Sequence, residues 1–136
     1  MAEFNPPLIA CVVSEANFSF AALRSTRGAV IAIPAHRFAK QVVGVANCSG
    51  RNIDKFGRFG LTPLPARQVR PPMIKECFRN LECQVKDTRL VRRYNHIRGP
   101  ESLDRLNAKR PNTLHHRGYG SFAVDGPTIR LKSAMR

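Results

Sequence analysis

The 136-residue chain is short of acid. Aspartate and glutamate total 9 against 23 lysines and arginines, a formal net charge of +14 at neutral pH. An excess of that size attracts anions in general: nucleic acid, anionic lipid or phosphorylated ligands. The cations run from Arg24 to Arg136, with only local pairs at Arg92-Arg93 and Lys109-Arg110. A compact basic stripe and a recognised nucleic-acid module are both missing, so the pattern favours a cation-rich surface over a nucleic-acid partner. Long apolar runs are missing too, which excludes a membrane-spanning helix. The opening "MAEFNPPLIACVV" has no basic stretch before its apolar one and does not read as a secretory signal. A cytoplasmic chain with reduced thiols is therefore expected. The four cysteines, Cys11, Cys48, Cys77 and Cys83, include no CxxC pair, and no metal site is expected of them. There is no GxGxxG, no P-loop and no internal repeat.

What is present is a chain 43% hydrophobic, enough for one packed domain over 1–136. "PPLIACVVS" (Pro6 to Ser14) reads as a buried strand between prolines and a serine. In "NFSFAALRSTRG", Asn17 or Ser19 can cap a helix, Phe20 and Leu23 share a face, and Gly28 is placed to end it. "AVIAIP" is a β-branched strand stopped by Pro34. "AHRFAKQVVGVAN" reads as a helix with Phe38, Val42 and Val45 on one stripe, weakened by Gly44. "GRFGLTPLPARQVRPP" carries too much proline and glycine for a regular element. From Leu81 to Val91 a half-buried strand is expected, with Leu81, Cys83 and Val85 inward and Glu82, Gln84 and Lys86 outward. The stretch after Tyr94 has few aliphatic anchors and room for a short helix after Pro100. "GSFAVDGPTIRLKS" reads as a hairpin turning at Asp125-Gly126. The order favours α+β, or a small barrel with helical insertions, over a doubly wound sheet.

Three stretches carry polar chemistry. "SEANFSF" sets Ser14, Asn17 and Ser19 between a strand and a helix start, a perch for phosphate at free backbone amides. Ordinary capping explains the same residues, and spacing alone favours it. In "NCSGRNIDKF", Gly50 permits close approach, Ser49 supplies a hydroxyl, and Arg51 and Lys55 supply charge for a phosphate or a flavin edge. A capped helical turn, with Asp54 paired to a nearby cation, is the plainer reading. His115 and His116 are adjacent, so on a strand they point to opposite faces and do not share one ion. Tyr119, between glycines, is placed to lie flat against a ring or a partner subunit. No Ser/His/Asp or Cys/His order points to hydrolysis, and no catalytic residue is singled out.

Taken in order, these segments resemble the flavin reductase-like family, whose members adopt the FMN-binding split β-barrel. The resemblance rests on "PPLIACVVSEANFSFAALRST", "VIAIP", "NCSGRNIDKFGRFGLTPLPA", "PPMIKECFRNLECQV" and "TLHHRGYGSFAVDGPTIRLKS". The "SGR-x-x-DKF-x-x-x-GLTP-x-PA" pattern followed by "I-x-EC-x-x-NLEC" is its most specific part. The resemblance implies a mainly β fold with helical insertions, antiparallel and of Greek-key type. It implies a homodimer that binds FMN and passes hydride to it from NADH or NADPH, with a partner oxygenase as one destination for reduced flavin. The cofactor-binding positions it implies are Ser14, Asn17, Ser19, Asn47, Ser49, Gly50, Arg51 and Lys55. Many relatives carry a basic residue and a threonine where Asn17 and Ser19 stand here.

Two departures shape the expectation. Relatives carry additional strands before the segment that matches "PPLIACVVS", where this chain has only "MAEFN", so an incomplete barrel is expected. Residues 95–112 replace a hydrophobic strand of the family with "HIRGPESLDRLNAKRP" and read as a diverged segment. A non-catalytic, truncated remnant that only binds flavin or a partner is the alternative to the oxidoreductase.

Overall fold

A computed structural model describes residues 3–4, 7–86, 103–104 and 112–127. Its centre is a three-stranded antiparallel sheet. Strand β3 (Gly28–Ile33) pairs along its whole length with β6 (Arg79–Gln84), from Gly28 opposite Gln84 to Ile33 opposite Arg79. The far edge of β6 takes β7 (Leu103–Asp104). The run Val30-Ile31-Ala32-Ile33 suits a pleated surface covered on one side. Helix α1 (Phe18–Thr26) buries Phe20 and Leu23, and Leu23 joins Cys83 and Val85 in the core. Cys11, Val13, Ala29, Ile31 and Leu81 pack around them.

The apolar segment 6–14 departs from the strand expected of it. Only β2 (Pro7–Leu8) is paired, with β1 (Glu3–Phe4), and Ser14 takes part in a single bridge. Residues 9–13 run between them without a ladder, because Cys11 and Val13 meet their apolar needs by packing on the core. Helix α1 ends at Arg27, which adopts a left-handed conformation (φ 55°) and donates its N–H to the Leu23 carbonyl at 3.0 Å. Gly28, expected as the stop, instead opens β3. A Cβ there would meet Val69 at 3.1 Å, so glycine permits the loop's close approach.

A 3₁₀ turn over His36–Phe38 leads into α2 (Ala39–Ala46), within the helix the periodicity predicts. Gly44 does more than weaken it. A Cβ at Gly44 would lie 2.4 Å from the Phe59 ring, so the glycine lets α3 (Lys55–Phe59) dock. That short helix begins where a capped helical turn was the plainer reading and runs into the segment expected to be irregular. Asp54 pairs with no cation among the described residues; its side chain accepts N–H bonds from Phe56 at 3.0 Å and Gly57 at 3.2 Å, and left-handed Gly60 closes the helix. Beyond it, β4 (Pro63–Leu64) pairs with β5 (Met73–Ile74).

Strand β6 corrects a second expectation. Leu81, Cys83 and Val85 do face the core, but Glu82 is only 2% exposed. Its side chain accepts backbone N–H bonds from Arg67 (3.0 Å), Gln68 (2.6 Å) and Val69 (3.3 Å). The loop after β4 therefore closes over the side of the sheet that alternation assigned to water. Strands β8 (Leu114–Gly118) and β9 (Ser121–Val124) form a hairpin that turns at Tyr119-Gly120, both at positive φ (49° and 72°). The strand expected after Asp125-Gly126 lies outside the described residues. Tyr119 stands fully exposed at the tip.

Within 95–112, Leu103–Asp104 forms a strand where a short helix was expected; apart from this pair and Asn112, the segment lies outside the described residues, as do 87–91 and 128–136. Among the described residues no closed barrel forms; the strands make four separate antiparallel sheets. None of their helices is long and apolar enough to cross a membrane.

Candidate functional site

The turn before α1 and the loop after α2 face one another across a cleft of about 620 Å³. On the first wall, the Ser14 hydroxyl accepts the Ala16 N–H at 3.3 Å and the Ser14 carbonyl accepts the Asn17 N–H at 3.0 Å. These bonds set the turn that starts α1. Asn17 holds the capping position with extended backbone (φ −77°, ψ 136°), yet its side chain makes no capping bond. It lines the cleft, as do Phe18 and Ser19. The local field there is positive, because the first amides of α1 have no partner within the helix.

The second wall begins with the last turn of α2, Val45 and Ala46, and continues through Asn47, Cys48, Ser49 and Gly50. The Ser49 hydroxyl accepts the Arg51 N–H at 3.2 Å and holds the loop in a tight turn. Lys55 reaches back from α3 and donates to the Val45 carbonyl at 2.8 Å. A cation thereby satisfies a carbonyl that α2 leaves without a helical partner, at its negative end. Among the described lining residues none is an aspartate or glutamate, and Lys55 carries a fixed positive charge.

The structure thus gathers Asn17, Ser19, Asn47, Ser49, Gly50 and Lys55 in one place. It leaves out two residues that the resemblance implied. Ser14 is engaged in the turn behind the wall. Arg51 sits with its guanidinium 5.6 Å from the centre of the Phe18 ring and does not line the cleft. Phe18 itself, 48% exposed, was missed by the sequence reading. The available signal was an aromatic residue off the Phe20/Leu23 stripe, next to a serine picked for binding.

A smaller, apolar groove of about 260 Å³ was also missed. The Phe38, Val42 and Val45 stripe lines it, facing Ala32, Leu61 and Ile74. Cys77 lies at its edge, its thiol pushed up to about 11 by burial and then by the charge of Glu76. Burial also raises Cys11 and Cys83, so these thiols stay protonated and unreactive at neutral pH.

On the hairpin, His115 Nε2 lies 2.7 Å from Asp125 Oδ1 and 3.0 Å from the Thr113 hydroxyl. His116 instead stacks at a tilt on Phe122, ring centres 5.0 Å apart, so the neighbouring imidazoles go separate ways. The Thr113 N–H, then its hydroxyl, then His115 hold the Asp125 carboxyl down to about 2. Among the described residues no group of three or more His, Cys, Asp or Glu side chains gathers to hold a metal ion.

Solved structures share this architecture. A flavoredoxin of Desulfovibrio vulgaris (Miyazaki F) superposes over 98% of this chain and 78% of its own with a TM-score of 0.86 at 18% identity. An FMN-binding protein from Thermus thermophilus, with 1-cyclohex-2-enone bound, superposes over 96% of this chain and 76% of its own with a TM-score of 0.80 at 14% identity. The fold is the flavin reductase-like split barrel, sheet with helical insertions, as the resemblance implied. The flavin reductase like domain model matches residues 1–99, and the chain belongs to that family. An uncharacterized protein of Archaeoglobus fulgidus is 29% identical over 83 residues, 61% of this chain. The match spans about half (47%) of that relative's length.

Proposed function

We propose that the chain is one flavin reductase-like domain over 1–136, binding FMN in the cleft between α1 and the 47–55 loop. The observation that carries this reading is the convergence of Asn17, Ser19, Asn47, Ser49, Gly50 and Lys55 on a cleft with no carboxylate among its described lining residues. The donor set suits a phosphorylated, planar ligand: amides, hydroxyls and an ammonium on two walls, with one exposed aromatic ring. Bound FMN would supply the redox chemistry, taking a hydride from NADH or NADPH.

The chain's own part is to bind and orient. Asn17 and Ser19 offer donors to a phosphate beside the first amides of α1. Lys55, fixed on the Val45 carbonyl, holds a positive charge over the cleft without swinging into solvent. Ser49 and Gly50 bring loop backbone close to the ligand. A homodimer in the cytoplasm, with a partner oxygenase taking up reduced flavin, completes the proposal. The test is anaerobic: NADH or NADPH is added to chain and FMN, and flavin absorbance is followed. The expected result is flavin bleaching at a rate proportional to chain concentration. Flavin that binds but bleaches no faster than in buffer would leave a binding module without turnover. That second reading is favoured by the absence of a closed barrel among the described residues.

A further inference from the structure

Phe18 lines the cleft and Arg51 does not, although the guanidinium lies 5.6 Å from the ring centre. Arg51 therefore meets the ring from outside the cleft. The loop that carries it is already against the ring, since a Cβ on Gly50 would touch Phe18 Cδ1 at 3.5 Å. The Ser49 hydroxyl fixes that loop through the Arg51 N–H. A phenyl ring 48% exposed on the first residue of a helix has little packing to fix its rotamer. A guanidinium stacked on one face supplies that restraint through cation–π attraction.

We infer that Phe18 is the residue on which the flavin's planar ring stacks, and that Arg51 is a positioning residue acting through Phe18, not a phosphate ligand. The inference rests on the proposed flavin site and goes past it by assigning the ring contact. Sequence position had given Arg51 a direct charge contact with the cofactor; the geometry gives it a different task. A stacked ring would also cover apolar surface that the unliganded chain leaves in water.

The test compares FMN with riboflavin, which has the same ring and no phosphate, in fluorescence titrations of the full chain. Arg51→Gln is expected to weaken both ligands by the same factor, about two- to fivefold. Phe18→Leu is expected to weaken both by about tenfold, the scale of losing one aromatic stack. In the Phe18→Leu background, Arg51→Gln should add nothing. Phe18→Tyr, which keeps the ring, should keep the dependence on Arg51 and covers the case in which Phe18→Leu does not fold. An Arg51→Gln loss about tenfold greater for FMN than for riboflavin would make Arg51 a phosphate ligand and overturn the inference while leaving the flavin site standing. Losses that simply add in the double variant would overturn it too. A folded wild-type chain that binds neither flavin overturns the proposed flavin site and this inference with it.

Discussion

Two cavities share the last turn of α2, where Val45 and Ala46 line both, and their chemistries are opposite. The groove toward β5 is walled by Phe38, Val42, Leu61 and Ile74, with hardly a polar atom. The cleft toward α1 is walled by Asn17, Ser19, Asn47, Ser49 and Lys55. The groove expresses an amphipathic stripe, which periodicity generates wherever a helix must pack. The cleft expresses chain ends: the start of α1, the end of α2 and a loop between two helices. Free amides and carbonyls occur there, so ligand chemistry collects there.

The largest expected effect lies outside both cavities and serves as their control. Glu82→Ala removes the buried acceptor of the Arg67, Gln68 and Val69 amides. It should cost about 3 kcal/mol in urea unfolding, the scale for losing hydrogen bonds to a charged acceptor. FMN affinity of the folded fraction should not change. Gly44→Val drives a side chain into the Phe59 ring and pushes α3 from α2. About 2 kcal/mol of stability should be lost by overpacking, despite relief of the glycine's helix penalty. Because α2 lines the cleft and α3 carries Lys55 to it, FMN binding should fall as well.

Lys55→Met separates the two cavities more finely. It keeps the side-chain length, removes the ammonium and frees the Val45 carbonyl. FMN should bind about tenfold more weakly, near 1.4 kcal/mol. Riboflavin should be much less affected, since the charge serves the phosphate. The smallest effect is expected on the hairpin, none of whose described residues lines either cavity. Asp125 is held at about 2, below its usual value, so its contribution to the hairpin is present above the unfolded pKa near 3.8. That contribution should fade as pH drops from there through 2. An NMR pH titration of β8 and β9 amides should show the transition, and Asp125→Asn should abolish it.

The same comparison explains what the sequence revealed. Phe38, Val42 and Val45 were legible as one stripe because helical spacing alone defines it. β3 and residues 81–84 of β6 were legible from β-branched content and alternation. Glu82 was misplaced because alternation separates two faces but cannot tell that a distant loop covers the second. The β8–β9 hairpin was not read from the sequence, because its turn falls on Tyr119, a residue that rarely adopts the positive φ it has here. In the cleft, individual spacing favoured plain capping, and Asp54 does only that. The ordered resemblance pointed to the rest; of its positions Ser14 and Arg51 do not line the cleft, and the Arg51 guanidinium lies 5.6 Å from the centre of the Phe18 ring.

The central claim is that the cleft between α1 and the 47–55 loop is an FMN site. Equilibrium dialysis of the purified, folded chain against FMN tests it most directly, with Asn17→Ala and Lys55→Met alongside. The account expects saturable binding of one FMN per chain, weakened in both variants. Absence of saturable binding by folded wild-type chain, or binding indifferent to both substitutions, would contradict it.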